Sequence, residues 1–203
     1  MSRPVLVLFA HPALERSRVQ RRLLEAPHTC SGVTVRDLYE LYPDLDVDVD
    51  AEQAALRAHD VIVFQHPFYW YSAPPLIKQW QDLVLEHGWA YGRGGDALAG
   101  KLTFHVMSAG GSEEAYEPTG YNHFPVVELM RPFEQTANLC RMRWLPPYVV
   151  HGTHRIQDPS IEEHVDQYRR LLVAIRDGRL DERRAAQSHG LHVDLGALIG
   201  EVA

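Results

Sequence analysis

Three short segments of this 203-residue chain carry side chains whose types and spacing suit chemistry. The first, His11 to Gln20, lies where an apolar run gives way to a helical pattern. A starting helix offers free N–H groups and a partial positive charge, which attract phosphate. Ser17 adds a hydroxyl there, His11 a ring N–H, and Arg16 and Arg18 positive charge, with Val19 and Gln20 in the same turn. An ordinary capped connection would use the same residues. The second segment holds four consecutive aromatics, Phe68, Tyr69, Trp70 and Tyr71, between Pro67 and the pair Pro74-Pro75. Core aromatics usually alternate with aliphatics at a helix or strand period, and this run follows neither. A rigid aromatic loop suits a planar heteroaromatic ligand, each stacked ring pair adding about 0.5–1.5 kcal/mol beyond area burial. Packing on the protein or on a second subunit is the alternative. The third segment is Ser108-Ala109-Gly110-Gly111, followed by Tyr116. Its glycines allow a ligand edge to approach backbone N–H groups, although a plain turn would also use them.

These segments need a frame, and the hydrophobic pattern supplies one. Pro4 to Phe9, Asp60 to Gln65 and Lys101 to Ser108 read as buried strands, Val33 to Arg36 as a short one and Tyr148 to His151 as the last. Helical patterns occupy 17–25, 51–58, 75–86, 126–139 with an internal Pro132, and 158–177. Strands alternating with helices predict an α/β fold, a doubly wound, five-stranded parallel sheet in the order 2-1-3-4-5 with helices on both faces. Ligands of such sheets sit beyond the carboxyl ends of the strands at the switch point, where the segments after strands one, three and four converge. Residues 1–177 form the expected domain. Residues 178–203 read as a C-terminal extension, either a docking arm or a frayed end.

Composition narrows the function. A formal charge of -7 argues against a nucleic-acid surface. No apolar stretch is long enough to span a bilayer, so direct membrane insertion is not expected. Two cysteines, Cys30 and Cys140, fit a reducing, cytoplasmic setting. The acidic run Asp44, Asp46, Asp48, Asp50 lacks the glycine and glutamate of a calcium loop, and the twelve histidines are scattered. No metal is expected.

Taken in order, Ala10-His11-Pro12, Gln65-His66-Pro67, Trp70-Tyr71-Ser72, Pro74-Pro75, His87 to Gly92, Gly94-Gly95 and Trp144 to Pro147 resemble the NAD(P)H:quinone oxidoreductase family of flavodoxin-like flavoproteins. The likeness is greatest to the ancillary proteins of glutathione-regulated Kef potassium-efflux systems. The resemblance implies FMN as cofactor, with FAD the alternative, NADPH or NADH as co-substrate, and ping-pong hydride transfer to a quinone-like acceptor. It implies that His11, Ser17, Arg18, Val19 and Gln20 take the flavin phosphate, although relatives often carry Asn where this chain has Gln20. Pro67, Phe68, Tyr69, Trp70 and Tyr71 would lie against the flavin ring. Ser108, Ala109, Gly110 and Gly111 would meet it largely through backbone. Tyr116 matches a tyrosine that steadies charge on the reduced flavin. Asn122 stands where relatives often have histidine, with His123 beside it. A homodimer completing its site across the interface is implied, consistent with Trp70, Tyr71 and Tyr121. Two other readings accompany this one. The chain would be a regulatory subunit docked on the cytoplasmic part of a potassium–proton antiporter, and so peripheral to the inner membrane, or a flavodoxin-type electron carrier.

Overall fold

The structure, a computed structural model, describes residues 2–199. Its centre is built from the continuous apolar runs. Strands β1 (Val5–Phe9), β2 (Val33–Asp37), β3 (Val61–Pro67) and β4 (Leu102–Ser108) are joined by β5 (Arg143–Trp144) and β6 (Tyr148–Val150). All pairings are parallel, in the order β2-β1-β3-β4-β5, with β6 also on β4. β1 and β3 are buried along their whole length, as a sheet covered on both faces requires.

The register brings the carboxyl ends together. Phe9 pairs with Gln65 and Asp37, and Pro67 pairs with Ser108, so the loops after β1, β3 and β4 leave one edge of the sheet. The expected last strand, Tyr148 to His151, is found as β6, and a further two-residue strand, β5, precedes it. β5 pairs with Leu102 and Thr103, β6 with Val106 to Ser108. Pro146 and Pro147 lie between them and lack the N–H that a ladder needs.

Five longer helices cover the sheet: α1 (Arg18–Leu23), α2 (Val49–Ala58), α3 (Pro75–Val84), α4 (Arg131–Leu139) and α5 (Asp158–Arg176). Alternation along the strands divides the core. Val5, Val7, Val61, Val63, Phe104 and Val106 face α1 and α5. Leu6, Leu8, Ile62 and Phe64 face α2, α3 and α4. The expected helix over 126–139 is divided at Met130 into a short turn, Val126–Leu129, and α4. Pro132 then falls in the first turn of α4, where its missing N–H costs nothing. Asp48, from the acidic run, caps α2 by accepting from Ala51 N–H at 2.9 Å. One face of α2 is tied down by Glu52, which is fully buried. It accepts from Arg36 Nη2 and Tyr42 OH at 2.6 Å and from Trp80 Nε1 at 2.9 Å.

Residues 178–199 fold back on the domain. Leu180, Ala185, Leu191, Leu195 and Leu198 join the core on the α5 side, and Glu182 bonds Arg3 at 2.6 Å and also Arg143.

Candidate active site

A cleft of about 590 Å3 opens at the carboxyl edge of the sheet. Its first wall is the connection after β1. Ser17 caps α1, its Oγ accepting from Gln20 N–H at 3.1 Å; its hydroxyl hydrogen stays available to an incoming oxygen. His11 is 6% exposed and accepts from Ala13 N–H at Nδ1, 3.1 Å. Burial pulls its pKa below the usual histidine value, against a smaller opposing effect of Glu15. A neutral ring with Nδ1 accepting carries its proton on Nε2, so His11 is a hydrogen-bond donor. Arg16, Arg18 and Val19 complete this wall.

The second wall is the aromatic loop after β3. Pro67, Phe68, Tyr69 and Trp70 line the cleft. Trp70 and Tyr71 are consecutive residues at positive φ, 51° and 60°. That conformation costs side-chain-bearing residues of order 1–3 kcal/mol each and persists only where the surroundings impose it. Here the Ser72 N–H closes a turn on Tyr69 O at 2.9 Å, between Pro67 and Pro74. The result holds Trp70 out at 92% exposure. Tyr69 meets His11 edge-on at 6.1 Å between ring centroids, joining the two walls.

The third wall comes from β4 and the end of β6. Ser108 and Gly110 line the cleft with Thr153 and His154. Ala109 N–H bonds Val150 O at 2.8 Å, Gly152 N–H bonds Gly111 O at 2.9 Å and Thr153 N–H bonds Ala109 O at 3.1 Å. These bonds clamp the glycine loop to β6. A Cβ on Gly110 would lie 2.7 Å from His154 Nε2, so glycine leaves room for the His154 ring beside the loop.

The expected residues divide into groups. His11, Ser17, Arg18, Val19, Pro67, Phe68, Tyr69, Trp70, Ser108 and Gly110 surround the cleft. Gln20 stands behind it as a fully buried strut. Its Nε2 donates to His66 O at 2.9 Å and Ser108 Oγ at 3.1 Å, and its Oε1 accepts from Gln65 at 3.1 Å. Ala109 is fully buried. Tyr71 turns away to donate to Asn122 Oδ1 at 3.1 Å. Tyr116 packs on Phe68 at 5.9 Å and lines a second cleft of about 340 Å3. A Cβ on Gly111 would meet the Tyr116 ring at 3.1 Å. Burial, then the neighbouring Tyr71, raises the Tyr116 pKa, so its hydroxyl remains a donor at neutral pH. His123 is exposed, at φ 63°. Thr153 and His154 were not singled out as cleft residues by sequence reasoning. They follow the carboxyl end of the last strand, so the rule that pointed to the other loops applied to this one as well.

Comparison with known proteins sets this geometry in a family. The flavodoxin-like fold family matches residues 3–172. The chain belongs to that family. It is 44% identical over 169 residues to the glutathione-regulated potassium-efflux system ancillary protein KefF of Klebsiella aerogenes, covering 83% of this chain and 94% of the relative. Among solved structures, the general stress protein 14 of Treponema denticola, in complex with FMN, is 36% identical with a TM-score of 0.77 over 86% of this chain and 98% of its own. An NADPH-quinone reductase from P. pentosaceus is 35% identical with a TM-score of 0.76, over 83% and 96%. A protein described as a thermophilic tryptophan halogenase from Streptomycin violaceusniger is 47% identical with a TM-score of 0.79, over 81% and 95%. Activities named on this fold diverge, so the reaction has to be argued from the site.

Proposed function

We propose that this chain is a flavin-dependent NAD(P)H oxidoreductase that holds FMN in the 590 Å3 cleft and passes reducing equivalents to a quinone-like acceptor. The observation that carries the reading is the pairing of two chemistries in one cleft: an anion-attracting wall of Ser17, His11 and Arg18 facing a rigid aromatic wall of Tyr69 and Trp70. That pair fits a phosphate joined to a flat ring system. FMN would supply the hydride chemistry, and the protein would supply binding, orientation and electrostatics. Ser17 Oγ, the His11 ring N–H and Arg18 would hold the phosphate. Phe68, Tyr69 and Trp70 would border the ring, with Ser108 and Gly110 presenting backbone to its edge. The strained turn fixes Trp70 in advance, so it loses little freedom when a nicotinamide or acceptor stacks beside it. Tyr116, a neutral donor behind Gly111, would steady negative charge on the reduced ring. FMN is favoured by the complex of the Treponema denticola protein, and the acceptor class by the P. pentosaceus reductase.

The exposed aromatics Trp70, Tyr71, Tyr121 and Phe124 are the surface on which we place a homodimer. A second role, regulation of a potassium-efflux system from its cytoplasmic side, is favoured by the likeness to KefF. No helix among the described residues is long and apolar enough to cross a membrane, so such a role would act through a protein contact.

The test is an anaerobic absorbance titration of the purified protein loaded with FMN. Bleaching by NADPH or NADH and recovery with a quinone is the expected result. Failure to take up FMN would overturn the reading, and uptake without reduction by either nicotinamide would leave an electron carrier. Co-purification with an antiporter tests the second role.

A further inference from the structure

The family match stops at residue 172, yet the chain after it reaches the candidate site. Leu191 is fully buried and its N–H bonds Pro147 O at 3.0 Å. The next residue, His192, accepts from Val149 N–H at Nδ1, 3.2 Å. These two bonds attach the C-terminal segment to the backbone leading into and along β6. From there three rings lie in series. His192 meets His151 at 5.7 Å between centroids, and His151 meets Tyr116 at 5.6 Å. The residue after His151, Gly152, donates to Gly111 O at 2.9 Å. Tyr116, His151 and His192, with Glu113 and His189, line the second cleft. His192 is held by its bond to Val149 and by ring contacts with His151 and Tyr148, and His151 lies between the His192 and Tyr116 rings.

We infer that His192 of the C-terminal segment and His151 at the end of β6 are positioning residues that set the Gly110–Tyr116 loop of the active site. The reasoning is mechanical. A glycine pair holds no conformation of its own, so its shape comes from what clamps it. One clamp is the β6 backbone. The other is Tyr116, whose ring covers Gly111 and rests on His151. His192 is the far support of that stack. This deepens the flavin reading, since the loop supported is the one assigned to the edge of the flavin.

The experiment compares wild type with His192→Ala, His192→Asn and His151→Phe. Asparagine keeps an acceptor for Val149 N–H; phenylalanine keeps a ring on Tyr116 but removes its nitrogens. Hydrogen–deuterium exchange over 109–116 is measured without FMN, then FMN affinity by fluorescence quenching. The expected result is faster exchange in His192→Ala, roughly three- to tenfold weaker FMN binding, the worth of one hydrogen bond, and recovery of at least half the loss in His192→Asn. His151→Phe is expected to slow loop exchange relative to His192→Ala while still binding FMN more weakly than wild type. Wild-type exchange over 109–116 in a folded His192→Ala protein overturns the inference. If His192→Ala does not fold, the Asn and Phe variants decide by the same two readouts, and wild-type values in both overturn it. Wild-type protein that binds no FMN would defeat the flavin reading alone, since the exchange comparison does not depend on it.

Discussion

At the scale of single residues, Ser17 has two duties that substitution can separate. It caps α1 through Gln20 N–H and faces the cleft. Ser17→Asp keeps a good capping oxygen but puts a negative charge where a phosphate is to sit. We expect a melting temperature near that of wild type and loss of FMN binding by more than about a hundredfold, since like charges in a partly dry cleft cost several kcal/mol. Equal loss of stability and binding would mean that Ser17 is only a cap. The buried pair His66 and His105 makes a prediction about pH. Their rings bond at 2.8 Å, Nε2 to Nδ1, and burial pulls His66 down to about 4. Burial also pulls His192 to about 4. In the unfolded chain these rings titrate near 6.5, so between about 4 and 6.5 the unfolded state binds protons that the folded state refuses. Stability is therefore complete above 6.5 and falls as pH drops towards 4, by about 3 kcal/mol for a group shifted as far as His66. Urea midpoints at pH 7, 5.5 and 4.5 check this. A flat profile would contradict the burial argument, and His66→Gln is expected to flatten it in part.

At the scale of elements, the aromatic loop is the clearest case of local strain at a candidate site. Trp70 and Tyr71 both sit in the left-handed region, where glycine is at no disadvantage. Trp70 is 92% exposed, so its loss removes little packing. Trp70→Gly is accordingly expected to leave stability unchanged or raise it by about 1 kcal/mol, while weakening nicotinamide or acceptor stacking. Thermal melting and steady-state KM read the two effects. A large drop in stability would show that the Trp70 ring supports the loop rather than the ligand. Sequence periodicity found the central strands because each is a continuous apolar run of the length a two-sided sheet needs. It placed β6 to within one residue and missed β5, because a two-residue strand such as Arg143–Trp144 carries no period. Pro132 was correctly suspect within 126–139, but the helices are divided two residues earlier, at Met130, because proline is tolerated in a first turn.

At the scale of the whole molecule, a dimer through the exposed aromatics is the prediction. Tyr121 is 86% exposed and Phe124 53%, on the segment that Asn122 ties to Tyr71. Sedimentation should give a dimer for wild type and a monomer for Tyr121→Asp with Phe124→Asp; a wild-type monomer would remove the proposed interface. What the sequence by itself determined is the layer order and the three loops that converge, because hydrophobic period and glycine, proline and aromatic punctuation are local quantities written into neighbouring residues. It also marked most of the cleft wall, since residues after parallel strands share one edge by topology. Only the tertiary structure decided that Gln20 is a strut behind Ser108 rather than a cleft residue, that Thr153 and His154 complete the wall, and that the C-terminal segment packs on β6 and stacks His192 against His151. Each of those facts joins residues distant in the chain, and which of several possible partners a buried polar or aromatic group takes is fixed by packing among elements, which no local pattern encodes.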